Sequence, residues 1–124
     1  MSRPYEPEML RDMIRERVEY RRKSNYSIGP RRSRIAGAMV SNLENCFGNK
    51  DPSYFRHLVT DYLVGHESTK DMDDSEIMTL HRWLNATKDE VSGEWLPDPS
   101  SAVEAIKVAR AALSNKGQME MELW

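Results

Sequence analysis

Apolar residues recur at helical spacing along most of the chain, and this spacing limits the fold more than any other sequence feature. In the first segment, residues 6–23, Leu10, Ile14 and Val18 lie four residues apart and therefore face one side of a helix. A second segment, residues 30–47, repeats the pattern after a Gly-Pro break. Its apolar stripe consists of Ile35, Met39, Leu43 and Phe47.

Helix-boundary residues predict a third and a fourth helix. Asp51 and Pro52 have the order of an N-cap followed by a first-turn proline, and Gly65 is placed to end that helix as a C-cap. Asp73 then precedes Glu76 by three residues, which is the spacing of a capping box. We therefore expect a helical hairpin in this part of the chain.

A fifth helix is predicted near the C-terminus, beyond a loop at residues 87–98. Ser101 precedes Glu104 by three residues and is expected to cap the helix. Within the loop, Trp95 and Leu96 are expected to fold back onto the core, because large apolar side chains are stabilised by burial.

The fold class follows from these segments. No stretch alternates apolar and polar residues long enough to indicate a strand, and no internal repeat is visible. A length of 124 residues is sufficient for one domain. We predict an all-α, compact, irregular bundle of about five helices, with a single helical domain at residues 1–116 and a C-terminal tail at residues 117–124.

Composition excludes several classes of protein. No apolar run is long enough to cross a membrane, and the first residues lack the apolar segment of a signal peptide. The single cysteine, Cys46, has no partner for an internal disulfide. We therefore expect a cytoplasmic protein with no membrane association.

The charge of the chain is unevenly distributed. Residues 1–34 contain ten Lys or Arg against five Asp or Glu, whereas the rest of the chain carries eight against fifteen. A basic segment of this kind is typical of binding to a phosphate backbone. The alternative is a solvated helix face on which acidic residues lie among the arginines.

The basic residues flank the Gly-Pro break. Arg31, Arg32 and Arg34 crowd the start of the second helix, where the positive end of the macrodipole disfavours cations. This placement indicates either an anionic partner or acidic neighbours in the fold. The predicted nucleic-acid-binding residues are Arg15, Arg22, Lys23, Arg31, Arg32 and Arg34.

Signs of catalysis are few. The histidines His57, His66 and His81 lack the spacing of a helical zinc pair, and Cys46 is interpreted as a small hydrophobic residue on the second helix. We therefore predict a protein that is not an enzyme, with no catalytic residue, cofactor or metal. An acidic cluster, which capping explains without a metal ion, comprises Asp71, Asp73, Asp74 and Glu76.

One stretch, from about Tyr54 to Ala86, carries a more specific pattern, G-x-x-S-x-K-D followed by an apolar residue, a glutamate and a Trp-Leu pair. It resembles a helical module of phage and mobile-element proteins, among them the GemA-like phage regulators. The resemblance implies a phage or mobile-element setting and work linked to DNA, without a catalytic residue. The matching residues are Gly65, Ser68, Lys70, Asp71, Met72, Glu76, Leu80 and Leu84.

The C-terminal tail, Q-M-E-M-E-L-W from residue 118, is acidic and apolar and ends in an aromatic residue. It loosely resembles bacterial sliding-clamp-binding peptides, which implies docking in a protein partner. The alternative is that the tail folds back and buries Trp124 on its own domain. The predicted partner-binding residues are Gln118, Met121, Leu123 and Trp124.

Together these features predict a nucleic-acid-associated accessory protein without catalytic activity, of phage or mobile-element type and with DNA as the favoured partner. The alternative function is a small helical protein-interaction subunit or a phage-encoded inhibitor of a host protein complex.

Overall fold

The computed structural model of the chain describes residues 7–47, 51–86, 88, 93, 95–108 and 110. These residues form α-helices, together with a short 3-10 turn at Gly29–Arg31 and an isolated antiparallel bridge between Lys88 and Trp95. The helices are α1 (Pro7–Lys23), α2 (Arg32–Asn45), α3 (Pro52–Val64), α4 (Asp74–Ala86) and α5 (residues 99–108). The predicted all-α bundle is confirmed.

Helix α4 forms the centre of the bundle. It packs against α1 and α2, and α3 also packs against both of these helices. Trp83 is the largest fully buried side chain, and its indole Nε1 donates a hydrogen bond to the carbonyl of Pro97 over 3.0 Å. The predicted stripes on α1 and α2 supply other core residues, namely Leu10, Ile14, Val18, Met39 and Leu43.

The connection between α1 and α2 is a tight turn that the core fixes in place. Asn25 and Gly29 adopt positive φ angles of 54° and 74°, which reverse the chain after α1. Ile28, between them, is buried, and its backbone N–H donates to the Asp74 carboxylate over 3.0 Å. The turn is therefore attached to the N-terminus of α4.

The connection between α3 and α4 follows the sequence prediction closely. Gly65 ends α3 with a φ of 82°, and its N–H donates to the Asp61 carbonyl over 2.8 Å. Asp73 and Glu76 form the reciprocal capping box, in which each side chain accepts the other residue's backbone N–H at 2.9 and 3.0 Å.

The predicted order of N-cap and first-turn proline at the start of α3 is confirmed, since Asp51 is the N-cap residue and Pro52 follows it, although the Asp51 side chain makes no capping hydrogen bond. Two other local predictions were wrong. Helix α5 begins two residues before Ser101, because Asp98 and not Ser101 caps it: the Asp98 carboxylate accepts the backbone N–H of Ser101 over 3.1 Å. Of Trp95 and Leu96, which were both expected to fold back onto the core, only Leu96 packs against it, and Trp95 is 73% exposed.

Two further predictions concern membrane association and the C-terminal tail. Among the residues that the structure describes, no helix is long and apolar enough to cross a membrane. The predicted tail at residues 117–124, with the partner-binding residues Gln118, Met121, Leu123 and Trp124, lies outside the described residues.

Candidate nucleic-acid interface

The six basic residues predicted from the sequence divide into two groups. Arg15, Arg22 and Arg32 make hydrogen bonds within the fold, whereas Lys23, Arg31 and Arg34 project from the surface.

Arg15 caps the end of α3. Its guanidinium donates to the carbonyls of Leu63 and Tyr62 over 3.1 and 3.2 Å. The last carbonyls of a helix have no intrahelical partner and form the negative end of the macrodipole, so a cation is stabilising there. Arg15 thus joins α1 to α3.

Arg22 lies among three carboxylates. Its Nε donates to Asp73 over 2.7 Å, and its terminal nitrogens lie 2.5 Å from Glu19 and 3.2 Å from Glu76. The hydrogen bond to Asp73 raises the pKa of Arg22 above its ordinary value. Burial alone would raise the pKa of Asp73, but the Glu76 amide and Arg22 outweigh it and lower that pKa.

Glu76 is the most buried acid of this set, with 2% of its surface exposed. Besides Arg22 and the amide of Asp73, its carboxylate faces the Nε2 of His66 at 3.5 Å. Burial nevertheless raises the pKa of Glu76, because desolvation outweighs these partners.

Arg32 is held by the N-terminus of α4. One terminal nitrogen hydrogen-bonds to the Asp74 carboxylate, and the other donates to the Met72 carbonyl over 2.6 Å. The pKa of Asp74 is lowered, chiefly because its carboxylate accepts the backbone N–H of Ile28 and also pairs with Arg32. Of the two explanations for cations at the start of α2, an acidic neighbour therefore applies to Arg32. We call Arg22, Arg32, Asp73, Asp74 and Glu76 the α4 ion-pair cluster.

Lys23, Arg31 and Arg34, which we call the basic turn, have a different environment. All three are exposed, and none of the described residues forms an ion pair or hydrogen bond with their side chains. Arg31 and Arg34 flank the first turn of α2, which contains no acidic residue and has no side-chain cap. Arg31 and Arg34 therefore lie at the positive end of α2 without an acid in its first turn to offset them, and Lys23 adds a third exposed cation at the end of α1.

An aromatic pocket beside the basic turn was missed at the sequence level. It encloses about 200 Å³ between the end of α1 and α4. The guanidinium carbon of Arg17 lies 5.5 Å from the centroid of the Tyr20 ring, and that of Arg21 lies 5.9 Å from the Tyr26 ring. The alternation of tyrosine and arginine from residue 17 to 26 was the available signal. The residues that form the pocket include Arg17, Tyr20, Arg21, Tyr26, Met78 and Arg82.

The residues considered for catalysis, Cys46 and the histidines, lie in surroundings that are typical of structural residues. Cys46 is half-buried, its thiol donates to the Asn42 carbonyl over 3.5 Å, and burial raises its pKa, which disfavours the nucleophilic thiolate. The His57 ring lies 2.6 Å from the Glu67 carbonyl, while burial lowers the pKa of His81. Within the described part of the chain, no three His, Cys, Asp or Glu residues are grouped to hold a metal ion.

No family model matches the chain, and no curated protein or solved structure matches it either.

Proposed function

We propose that this protein is a nucleic-acid-associated accessory protein, without catalytic activity, that binds the phosphate backbone through the basic turn. The observation that carries the proposal is the exposure of Lys23, Arg31 and Arg34 around one turn, with no side-chain partner among the described residues. Phosphate contacts of this kind supply affinity that does not depend on sequence.

The fold presents these cations on a fixed support. Ile28 is buried beneath the turn, and the Asp74 carboxylate binds its N–H and the Arg32 side chain. Because the backbone of the turn is already ordered, binding a phosphate requires the ordering of only the exposed side chains. The α4 ion-pair cluster thus positions the interface, and the basic turn makes the contacts.

DNA in a cytoplasmic phage or mobile-element setting is the favoured context, on the resemblance of residues 54–86. The alternative function, a helical protein-interaction subunit or an inhibitor of a host complex, relied mainly on the tail at residues 117–124. Both stay predictions, because no family model, curated protein or solved structure matches the chain and the tail lies outside the described residues.

The test is a salt series of fluorescence-anisotropy titrations on labelled single-stranded and duplex DNA, from about 50 to 200 mM salt. Affinity for at least one of the two should fall steeply with salt. Changing Arg31→Ala and Arg34→Ala together should reduce the slope of log affinity against log salt by about 2, or about 1 for each lost phosphate contact.

Arg11→Ala provides the matched control. Arg11 is on the same helix as Lys23 but about 18 Å away along the axis, and its ion pair with Asp12 is at the surface. The slope of this variant should equal that of the wild type. An affinity independent of salt, or no binding to either DNA, would exclude the proposed function.

A further inference from the structure

The aromatic pocket, defined above by Arg17, Tyr20, Arg21, Tyr26, Met78 and Arg82, has the dimensions and lining of a site for one flat ring. Its volume of about 200 Å³ is below the range of about 300–1,000 Å³ typical of sites for drug-sized ligands. The side chain of Met78, which is 8% exposed, contributes a polarisable apolar surface to the pocket.

Tyr20 is the accessible ring of the pocket. It is 54% exposed, although the Arg17 guanidinium lies over it at 5.5 Å. A ring of this kind, supported by a guanidinium on one face, offers its remaining surface to a planar partner. Nucleobases stack readily on tyrosine and arginine, whatever their sequence, since every base has a π-face.

Arg21 has a structural part in the pocket. It is 9% exposed, donates to the Thr79 hydroxyl over 2.9 Å, and has its guanidinium 5.9 Å from the Tyr26 ring. This buried contact between α1 and α4 fixes the position of Tyr26. The recognition surface is therefore built from aromatic faces on a rigid support.

The pocket and the basic turn are continuous along the chain. Ser24, which also lines the pocket, directly follows Lys23, and Tyr26 belongs to the same connection as Arg31. A nucleic-acid strand whose phosphate contacts Lys23 would therefore pass within one residue of the pocket wall at Ser24, close enough for a base to enter.

We propose that this pocket binds an unstacked base of single-stranded nucleic acid while the basic turn contacts the flanking phosphates. This inference rests on the proposed function and adds a preference for single strands. A base in a duplex must first be unstacked and unpaired, which costs a few kcal/mol, so duplex DNA gains less from the pocket.

Tyr20→Ala and Tyr20→Phe test the pocket directly. With a labelled oligothymidine of about 20 nucleotides as the probe, Tyr20→Ala should weaken binding about tenfold, because one base loses its stacking platform. Tyr20→Phe retains the ring and should bind within about twofold of the wild type. The salt slope should be unchanged in both variants, since no phosphate contact is lost.

Two controls separate stacking from other effects. Tyr54→Ala removes a tyrosine of similar exposure, 58%, from α3 and should leave binding unchanged. An abasic oligomer of the same length keeps the phosphates but has no bases, so the wild type and Tyr20→Ala should bind it equally. Urea unfolding of each variant establishes that it is folded, as expected for changes at exposed rings.

The outcomes distinguish the two proposals. If Tyr20→Ala binds the oligothymidine like the wild type, while Arg31→Ala with Arg34→Ala still reduces the salt slope, the pocket does not bind a base and the proposed function stands. Equal affinity of the wild type for duplex and single strand would also overturn the proposal that the pocket binds a base. So would a tenfold loss of affinity in Tyr20→Ala that persists on the abasic oligomer. If no nucleic acid binds at all, both proposals fail.

Discussion

The α4 ion-pair cluster and the basic turn contain residues that are neighbours in the sequence but have opposite surroundings. Arg22 pairs with Asp73 and Glu76, whereas Lys23, the next residue, is exposed. Arg32 is bound to Asp74, whereas Arg31 has no side-chain partner in the described part of the chain.

This difference follows from where each side chain points. Consecutive residues on a helix point about 100° apart, so the arc of α1 that faces α4 includes Arg21, bonded to Thr79, and Arg22, paired with Glu76, but leaves Lys23 exposed. The comparison teaches that a run of basic residues is not a binding surface as a whole. Some of its charges hold the fold, and the others are left for a partner.

The largest expected effect is on stability, at the centre of the α4 ion-pair cluster. Glu76→Ala removes the acceptor of the capping box together with the partner of Arg22, so the free energy of unfolding should fall by about 2–3 kcal/mol. Glu76→Gln retains an acceptor and should cost less. The measurement is urea unfolding.

Glu16→Ala is the control, because Glu16 is an exposed acid on α1 whose side chain forms no hydrogen bond or ion pair with the described residues. It should change stability by at most about 0.5 kcal/mol. Equal losses in Glu76→Ala and Glu16→Ala would show that the cluster does not hold the fold.

Asp74→Ala should convert Arg32 from a member of the α4 ion-pair cluster into an exposed cation like those of the basic turn. It frees Arg32 and removes the acceptor of the Ile28 N–H, so stability should fall by about 1–2 kcal/mol. It also removes a negative charge beside the basic turn, so the affinity of the folded protein for DNA should rise severalfold at low salt. Weaker binding by the folded variant would contradict the proposed role of the basic turn.

A smaller effect is expected from pH. The lowered pKa of Asp74 gives stability that is present above its unfolded value, about 3.9, and is lost as the pH falls through the folded value. Glu76, with its raised pKa, acts in the opposite direction, because its contribution is lost as the pH rises.

Urea midpoints measured between about pH 5 and pH 2 should therefore decline for the wild type and decline less for Asp74→Asn, which has no carboxylate to protonate. If the two proteins lose stability in parallel, Asp74 does not contribute through its charge.

The smallest effect is expected at Gly37, on the exposed face of α2 one turn beyond Arg34. Apart from the adjoining residues and the backbone of α2 itself, no atom lies within 4 Å of the position that a β-carbon would take, so alanine fits without displacement. Gly37→Ala should stabilise the protein by about 0.5–1 kcal/mol through the unfolded chain and the helix propensity. DNA binding should be unchanged. Weaker DNA binding by Gly37→Ala would indicate that the interface extends along α2.

The sequence predicted the helices well where their boundaries depend on local contacts. The capping box of Asp73 and Glu76 and the C-cap at Gly65 involve residues three or four apart, so their pattern is visible in the chain. The prediction that Trp95 is buried was wrong because size alone does not determine burial. Trp83 is the tryptophan that occupies the core.

The division of the arginines was not predictable in the same way. Arg22 and Asp73 are 51 residues apart, and Arg32 and Asp74 are 42 apart, so their pairing depends on how α1 and α2 pack against α4. The aromatic pocket has the same origin, since Tyr20 of α1 and Met78 of α4 line one pocket only when the two helices are packed together.

The most direct test compares DNA binding and unfolding in two variants of the same arginine-rich region. Arg31→Ala with Arg34→Ala should reduce the salt slope by about 2 and leave the urea midpoint unchanged or slightly raised, because these side chains have no partner among the described residues and lie at the positive end of α2. Arg22→Ala should do the reverse, lowering the midpoint while the folded protein keeps the wild-type slope. A salt slope reduced by Arg22→Ala but not by the double variant would contradict the account.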